Sequence, residues 1–215
     1  MTECRIVVLC SGSGTNLQAL IDSNIPSSRI VKVIVNRKTA YAAKRAESCG
    51  IPTEYFNAVS GGFTQKGETN EARLKAGRAR YDAALADIIL KEKPDLIVLA
   101  GFMWILSPQF LEPLQAAGVP VINLHPDHSG RYDGAHAIDR AYADFQAGKL
   151  ENNRTGIMVH YVVAEVDRGQ PILIEEVECR EGESLEDLEN RIHLVEHQLL
   201  PRATAQIVRE ILNNK

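Results

Sequence analysis

The chain has 215 residues, enough for one sizeable core and too few for two full-sized domains with a linker. It is 45% hydrophobic and 24% charged with a formal net charge of -4, an ordinary globular balance that leaves no basic footprint for nucleic acid. No apolar run nears the roughly 20 residues that span a bilayer, and Met1-Thr2-Glu3-Cys4-Arg5 lacks signal-peptide character, so a cytoplasmic protein is expected.

Arg5-Ile6-Val7-Val8-Leu9-Cys10 is a β-rich run that stops at Ser11-Gly12-Ser13-Gly14, and Thr15-Asn16-Leu17-Gln18-Ala19-Leu20-Ile21 has helical spacing. The alternation repeats: a strand over 30–35, a helix through 42–46, a short strand over 53–56, a helix over 81–91, and strands over 95–100 and 119–124. These runs are continuously apolar, which suits strands buried on both faces of a parallel sheet. The expected fold is α/β, doubly wound, Rossmann-like and mostly parallel. Residues 60–77 are mostly polar and carry Gly61, Gly62 and Gly67, so an exposed, mobile loop is expected there.

Beyond His125 the pattern changes. Runs over 156–163 and 171–177, joined through Asp167-Arg168-Gly169, predict an antiparallel hairpin. Ser184 and Asp187 have the spacing of a capping pair, opening a C-terminal helix that runs to about residue 212 with a break near Pro201. Cys4, Cys10, Cys49 and Cys179 form no C-x-x-C pair and read as buried free thiols.

Two constellations carry chemistry. A glycine turn after a strand serves dinucleotides, other phosphates, or only a tight turn. No lysine follows Gly14, which argues against nucleoside triphosphates, and Gln18-Ala19 with Asn36-Arg37 argue against a dinucleotide. A phosphate monoester on the backbone amides of Gly14, Thr15 and Asn16 fits better. The second constellation, Asn123-Leu124-His125-Pro126, closes the fifth strand, at the sheet edge where open α/β sheets bind ligands. Residues 123 and 125 share a face. An amide donor beside an imidazole can stabilise an oxyanion and move a proton, the two needs of acyl transfer, although a purely structural Asn-His pair has the same signature. A carboxylate from Asp167 beside that imidazole would favour its charged form. His125 with Asp127 and His128 also has the residue types of a metal site, but three neighbouring loop residues rarely close one, and no metal is expected. His136, His160, His193 and His197 receive no catalytic role, His160 reading as a hydrogen-bonded core residue.

With Leu99-Ala100-Gly101-Phe102-Met103 and Val166-Asp167-Arg168-Gly169 in the same order, these motifs make the chain resemble the phosphoribosylglycinamide formyltransferases from end to end. The resemblance implies one formyltransferase domain over 1–215, with a phosphate and substrate half (1–100) and a folate and catalytic half (101–215). It implies 10-formyltetrahydrofolate as co-substrate, glycinamide ribonucleotide as acceptor, no membrane or nucleic-acid partner, and a monomer or homodimer. Asn123, His125 and Asp167 would be catalytic. Gly12, Ser13, Gly14, Thr15, Asn16 and Glu196 would hold the ribonucleotide, Glu196 through the ribose hydroxyls. Arg78, Met103, Trp104, Ile105, Leu106, Val163, Ala164 and Glu165, together with Asn123 and Asp167, would line the folate site.

The chain departs from the family's pattern after His125-Pro126, where small or apolar residues and a proline are usual and Asp127-His128-Ser129-Gly130-Arg131-Tyr132-Asp133-Gly134 stands instead. Charge is therefore expected on the folate side of the pocket. Trp104 stands where an arginine is common. The rivals are a formyltetrahydrofolate hydrolase, a methionyl-tRNA or sugar-amine formyltransferase, and a non-catalytic phosphoribosyl- or folate-binding protein. The chain's length is expected to separate it from the hydrolase and the methionyl-tRNA enzyme, and its phosphate loop from the sugar-amine enzyme.

Overall fold

The computed structural model describes residues 3–127 and 130–215, so that Met1, Thr2, His128 and Ser129 lie outside the description. Strands β1 (Cys4–Cys10), β2 (Ser28–Val35), β3 (Thr53–Tyr55), β4 (Leu96–Leu99), β5 (Val121–His125), β6 (Arg154–Tyr161) and β7 (Pro171–Glu178) form one sheet of order β3-β2-β1-β4-β5-β6-β7. The pairs from β3 through to β5 are parallel, whereas β5 with β6 and β6 with β7 are antiparallel. The doubly wound sheet with a C-terminal hairpin is thus the one the apolar runs predict.

Helices cover both faces: α1 (Thr15–Asp22), α2 (Tyr41–Ser48), α3 (Glu71–Lys91), α4 (Pro108–Ala116), α5 (Ala137–Gln146) and α6 (Leu185–Asn213). Side chains on β1 alternate between two cores. Ile6, Val8 and Cys10 pack with Leu17, Ala42, Ile138 and Leu199 of α1, α2, α5 and α6, while Val7 and Leu9 pack with Leu85, Ile89, Phe110 and Leu114 of α3 and α4. Burial on both faces explains a strand with no polar alternation.

Several boundaries differ from the sequence reading. Helix α3 begins at Glu71, where Asn70 Oδ1 accepts from the Arg73 amide at 3.0 Å, so residues 71–77 are helix and not loop. Gly77 disguises this stretch, and its missing side chain has a purpose. A Cβ there would collide with Phe63 O, because the preceding loop packs across the helix. Phe56 stacks on Tyr81 at 4.9 Å and Phe63 meets the same ring edge-on at 5.7 Å. Helix α6 opens with the Ser184–Asp187 capping box but runs unbroken through Pro201, where Leu199, Leu200 and Ala203 are fully buried. Packing outweighs the one hydrogen bond that proline removes. The sequence reading did not place α4 or α5; α5 starts without a side-chain cap after His136 in the left-handed region (φ 59°). Cys4, Cys10 and Cys179 are buried free thiols as expected, but Cys49 is exposed.

Gly77→Ala ordinarily favours a helix by about 0.5–1 kcal/mol. Here it is expected to destabilise by about 1–3 kcal/mol through overpacking. Thermal unfolding checks this, and a raised midpoint would contradict the packing of residues 57–69 on α3.

Candidate functional site

The carboxyl ends of the parallel strands converge at Ser11. Its buried hydroxyl donates to Asn36 Oδ1 at 2.7 Å and accepts from the Met103 amide at 2.7 Å, while its own amide donates to Gly101 O at 3.0 Å. The glycine turn after β1 is thereby tied to the segment after β4. Gly14 takes φ 73° at the start of α1, and a Cβ there would lie 2.6 Å from Ala42 Cα, so the turn requires glycine on both counts. Helix α1 begins at Thr15, leaving the amides of its first turn without intrahelical acceptors. No residue of α1's first turn is acidic. Arg45 of α2 donates Nε to Ser13 O at 2.9 Å, adding a positive charge that the sequence reading did not assign.

Glu196 reaches this turn from α6. It is 5% exposed and accepts from Asn16 Nδ2 at 3.1 Å. Burial pushes its carboxyl above the usual glutamate value, and the opposing influence of Asn16 and His193 does not cancel it. Burial also lowers His197, with His193 and Arg45 acting in the same direction.

A cavity of about 450 Å³ opens beside the turn, over the ends of β4 and β5. Arg78, Met103, Trp104, Ile105, Leu106, Asn123, His125, Val163, Ala164 and Asp167 line it, all of which the resemblance had assigned to catalysis or the folate site. Glu165 is exposed and outside the lining, its carbonyl accepting from the Arg168 amide at 3.4 Å in the turn. The rim is apolar and open to solvent, with Met103 and Ile105 more than half exposed. Asp82, absent from the sequence assignment, fixes one wall. Fully buried on α3, it accepts from Trp104 Nε1 at 2.7 Å and the Ser107 amide at 2.8 Å, and the Arg78 guanidinium lies 4.5 Å over the Trp104 ring. No local pattern marks it, since its partners lie 22 and 25 residues away.

At the inner end, four nitrogens surround the Asp167 carboxylate. Gly134 N lies 2.8 Å from Oδ2, His125 Nδ1 3.5 Å from Oδ2, Asn123 Nδ2 3.5 Å and His160 Nε2 3.6 Å from Oδ1. Burial opposes the charge of Asp167, but the His160 contact, the Gly134 amide and the electrostatic influence of His125 and His160 outweigh it and hold the carboxyl below its usual range. Asp167 occupies the left-handed region at φ 55°. The second nitrogen of His125, Nε2, meets Tyr132 O at 3.1 Å, so both ring nitrogens face acceptors and only the doubly protonated ring can donate to both.

His160, read as a core residue, belongs to this cluster. It is buried, but it stands opposite Asn123 in the β5–β6 register, with Nε2 3.3 Å from Asn123 Nδ2 and Nδ1 2.9 Å from Tyr161 O. Only the strand pairing reveals it. Asp127 also departs from expectation. It is 1% exposed, accepts from the Tyr132 amide at 3.1 Å, and faces a separate polar cavity, so its charge is not on the apolar pocket wall. His128 and Ser129 of that stretch lie outside the described residues. Among the described residues no three His, Cys, Asp or Glu side chains form a metal-binding group, and no helix is long and apolar enough to cross a membrane.

Residues 4–204 match the family described as formyl transferase. The chain belongs to that family. Two yeast relatives, both named phosphoribosylglycinamide formyltransferase, are similar over nearly their whole lengths. The Schizosaccharomyces pombe protein is 43% identical, covering 94% of this chain and 96% of its own. The Saccharomyces cerevisiae protein is 41% identical, with 96% and 98% covered. Among solved structures, glycinamide ribonucleotide transformylase 1 of Symbiobacterium toebii superposes with a TM-score of 0.80 at 30% identity, covering 97% of this chain and 89% of that one.

The raised Glu196 carboxyl has a stability consequence. Its contribution is complete below the unfolded value near pH 4.5 and is lost as pH rises through the raised native value. Glu196→Gln is therefore expected to be more stable than the unsubstituted chain at pH 8, with the gap closing as the pH falls through the raised native value toward 4.5. Urea unfolding at both pH values checks this; a variant relatively weaker at pH 8 than at pH 4 would contradict it.

Proposed function

We propose that the chain transfers the formyl group of 10-formyltetrahydrofolate to the amine of glycinamide ribonucleotide, with 10-formyltetrahydrofolate as a co-substrate consumed in the reaction. The observation that carries this reading is the placement of Asn123, His125 and Asp167 in one cavity directly beside the glycine turn. On this reading the whole chain works as one domain. The half over 1–100 supplies the phosphate turn, the half over 101–215 the folate wall and the reacting groups, and the enzyme acts in the cytoplasm on small molecules without a metal.

The ribonucleotide phosphate sits on the free amides at the start of α1, helped by the helix dipole and the nearby Arg45 charge. Glu196, desolvated and already accepting from Asn16, takes the ribose hydroxyls as further donors. The folate occupies the cavity, whose apolar rim covers flat ring surface while main-chain groups of residues 103–106 and 163–167 read its polar edge.

The amine nitrogen attacks the formyl carbon, a C–N bond forms, and the formyl oxygen becomes an oxyanion. The Asn123 amide is the donor placed for that oxygen, since its contact to Asp167 at 3.5 Å is long enough to be exchanged for a stronger one. A charged His125 adds its field. Asp167, held in the carboxylate form, accepts the proton released from the new ammonium and returns it to the folate nitrogen as the bond from that nitrogen to the formyl carbon breaks. The proton given up by the amine thus ends on the leaving nitrogen, and no covalent enzyme intermediate is needed.

Asp167→Asn and His125→Ala are each expected to lower turnover at least ~100-fold, the size typical of acid–base groups. Calorimetry should find ribonucleotide binding nearly intact in both. Near-normal turnover in the two variants would overturn the assignment.

A further inference from the structure

The segment over 130–135 brings two backbone groups onto the reacting side chains: Tyr132 O lies on His125 Nε2 at 3.1 Å, and Gly134 N on Asp167 Oδ2 at 2.8 Å. It lies between β5 and α5, so no sheet or helix ladder fixes it. Two arginines do. Arg140, in the first turns of α5, donates Nη2 to Tyr132 O at 2.7 Å, Asp133 O at 2.8 Å and Ala135 O at 3.0 Å. Arg168 reaches across from the other side of the cavity. Its Nε and Nη2 hold Asp133 Oδ2 at 2.9 and 2.7 Å, and Nη2 also donates to Gly130 O at 3.1 Å.

A half-exposed ion pair adds little to global stability. Its geometry is another matter. A planar guanidinium with several oxygens around it fixes direction as well as distance, and Arg168 is the chain neighbour of Asp167. A shift of one loop relative to the other would therefore move Asp167 against Gly134 and His125 against Tyr132. We propose that Arg140 and Arg168 are positioning residues that latch residues 130–135 onto His125 and Asp167 and so set their geometry for the transfer. This rests on the functional reading above. Neither arginine is required to touch substrate.

The test uses the full-length chain, Arg140→Ala, Arg168→Ala, the milder Arg168→Lys, Arg168→Asp alone and combined with Asp133→Arg as the reversed pair, and Arg202→Ala as a control at an exposed pair with Glu175. Loss of the latch should speed hydrogen exchange at the Gly134 amide at least ~10-fold. It should also lower kcat at least ~10-fold with the ribonucleotide KM nearly unchanged, since misplacement of about 1 Å is costly to catalysis. Arg168→Lys should fall between, the reversed pair should recover activity over Arg168→Asp alone, and Arg202→Ala should match the parent. Unchanged Gly134 exchange in both Arg168→Ala and Arg168→Lys would overturn the latch. Faster exchange with kcat unchanged or raised would overturn its positioning role. If the unsubstituted chain transfers no formyl group, the functional reading fails, and Gly134 exchange still decides the latch.

Discussion

A charged carboxylate is tolerated in a protein interior only where donors replace the water it has lost, and the neighbourhood of Asp167 is built to that constraint. The nitrogens around it come from three places: the end of β5, the end of β6 and the segment before α5. Remove the carboxylate and these elements lose their common acceptor. On the proposed function the same convergence supplies the chemistry, because a carboxylate among exchangeable donors can take a proton and give it back.

Placing those elements together is the work of the sheet. Parallel strands β1 to β5 deliver their carboxyl ends to one edge, and the antiparallel return of β6 sets His160 against Asn123. Ser11 joins the first glycine turn to the wall after β4, so that the turn and the cavity wall are fixed relative to each other by hydrogen bonds of 2.7 to 3.0 Å. Asp82 holds the outer wall in the same manner through Trp104 and Ser107. The two buried side chains leave the rim itself apolar and exposed.

What could be read from the sequence follows from the range of the interaction involved. Continuous apolar runs report burial on both faces, and the Ser184–Asp187 box reports a helix start within four residues, so strands, topology class and capping were legible. Asn123 and His125 were visible because they lie two apart on one strand. His160 was not, because its partner is 37 residues away and only the register of β5 against β6 brings them together. Asp127 was misplaced for a related reason: its charge was visible, but the turn that aims it at the Tyr132 amide was not. Gly77 misled because glycine usually marks loops, whereas here it clears space for Phe63 against a helix.

The central claim is direct transfer between two small molecules in one site, and product stoichiometry tests it most directly. The purified chain would be mixed with glycinamide ribonucleotide and 10-formyltetrahydrofolate without added metal, and both the formylated ribonucleotide and the deformylated folate would be followed against a control lacking ribonucleotide. Equal yields of the two products, with a silent control, are expected. Folate deformylation in the control would instead show water as the acceptor, and absence of product in every mixture would show a binding protein; either result contradicts the account.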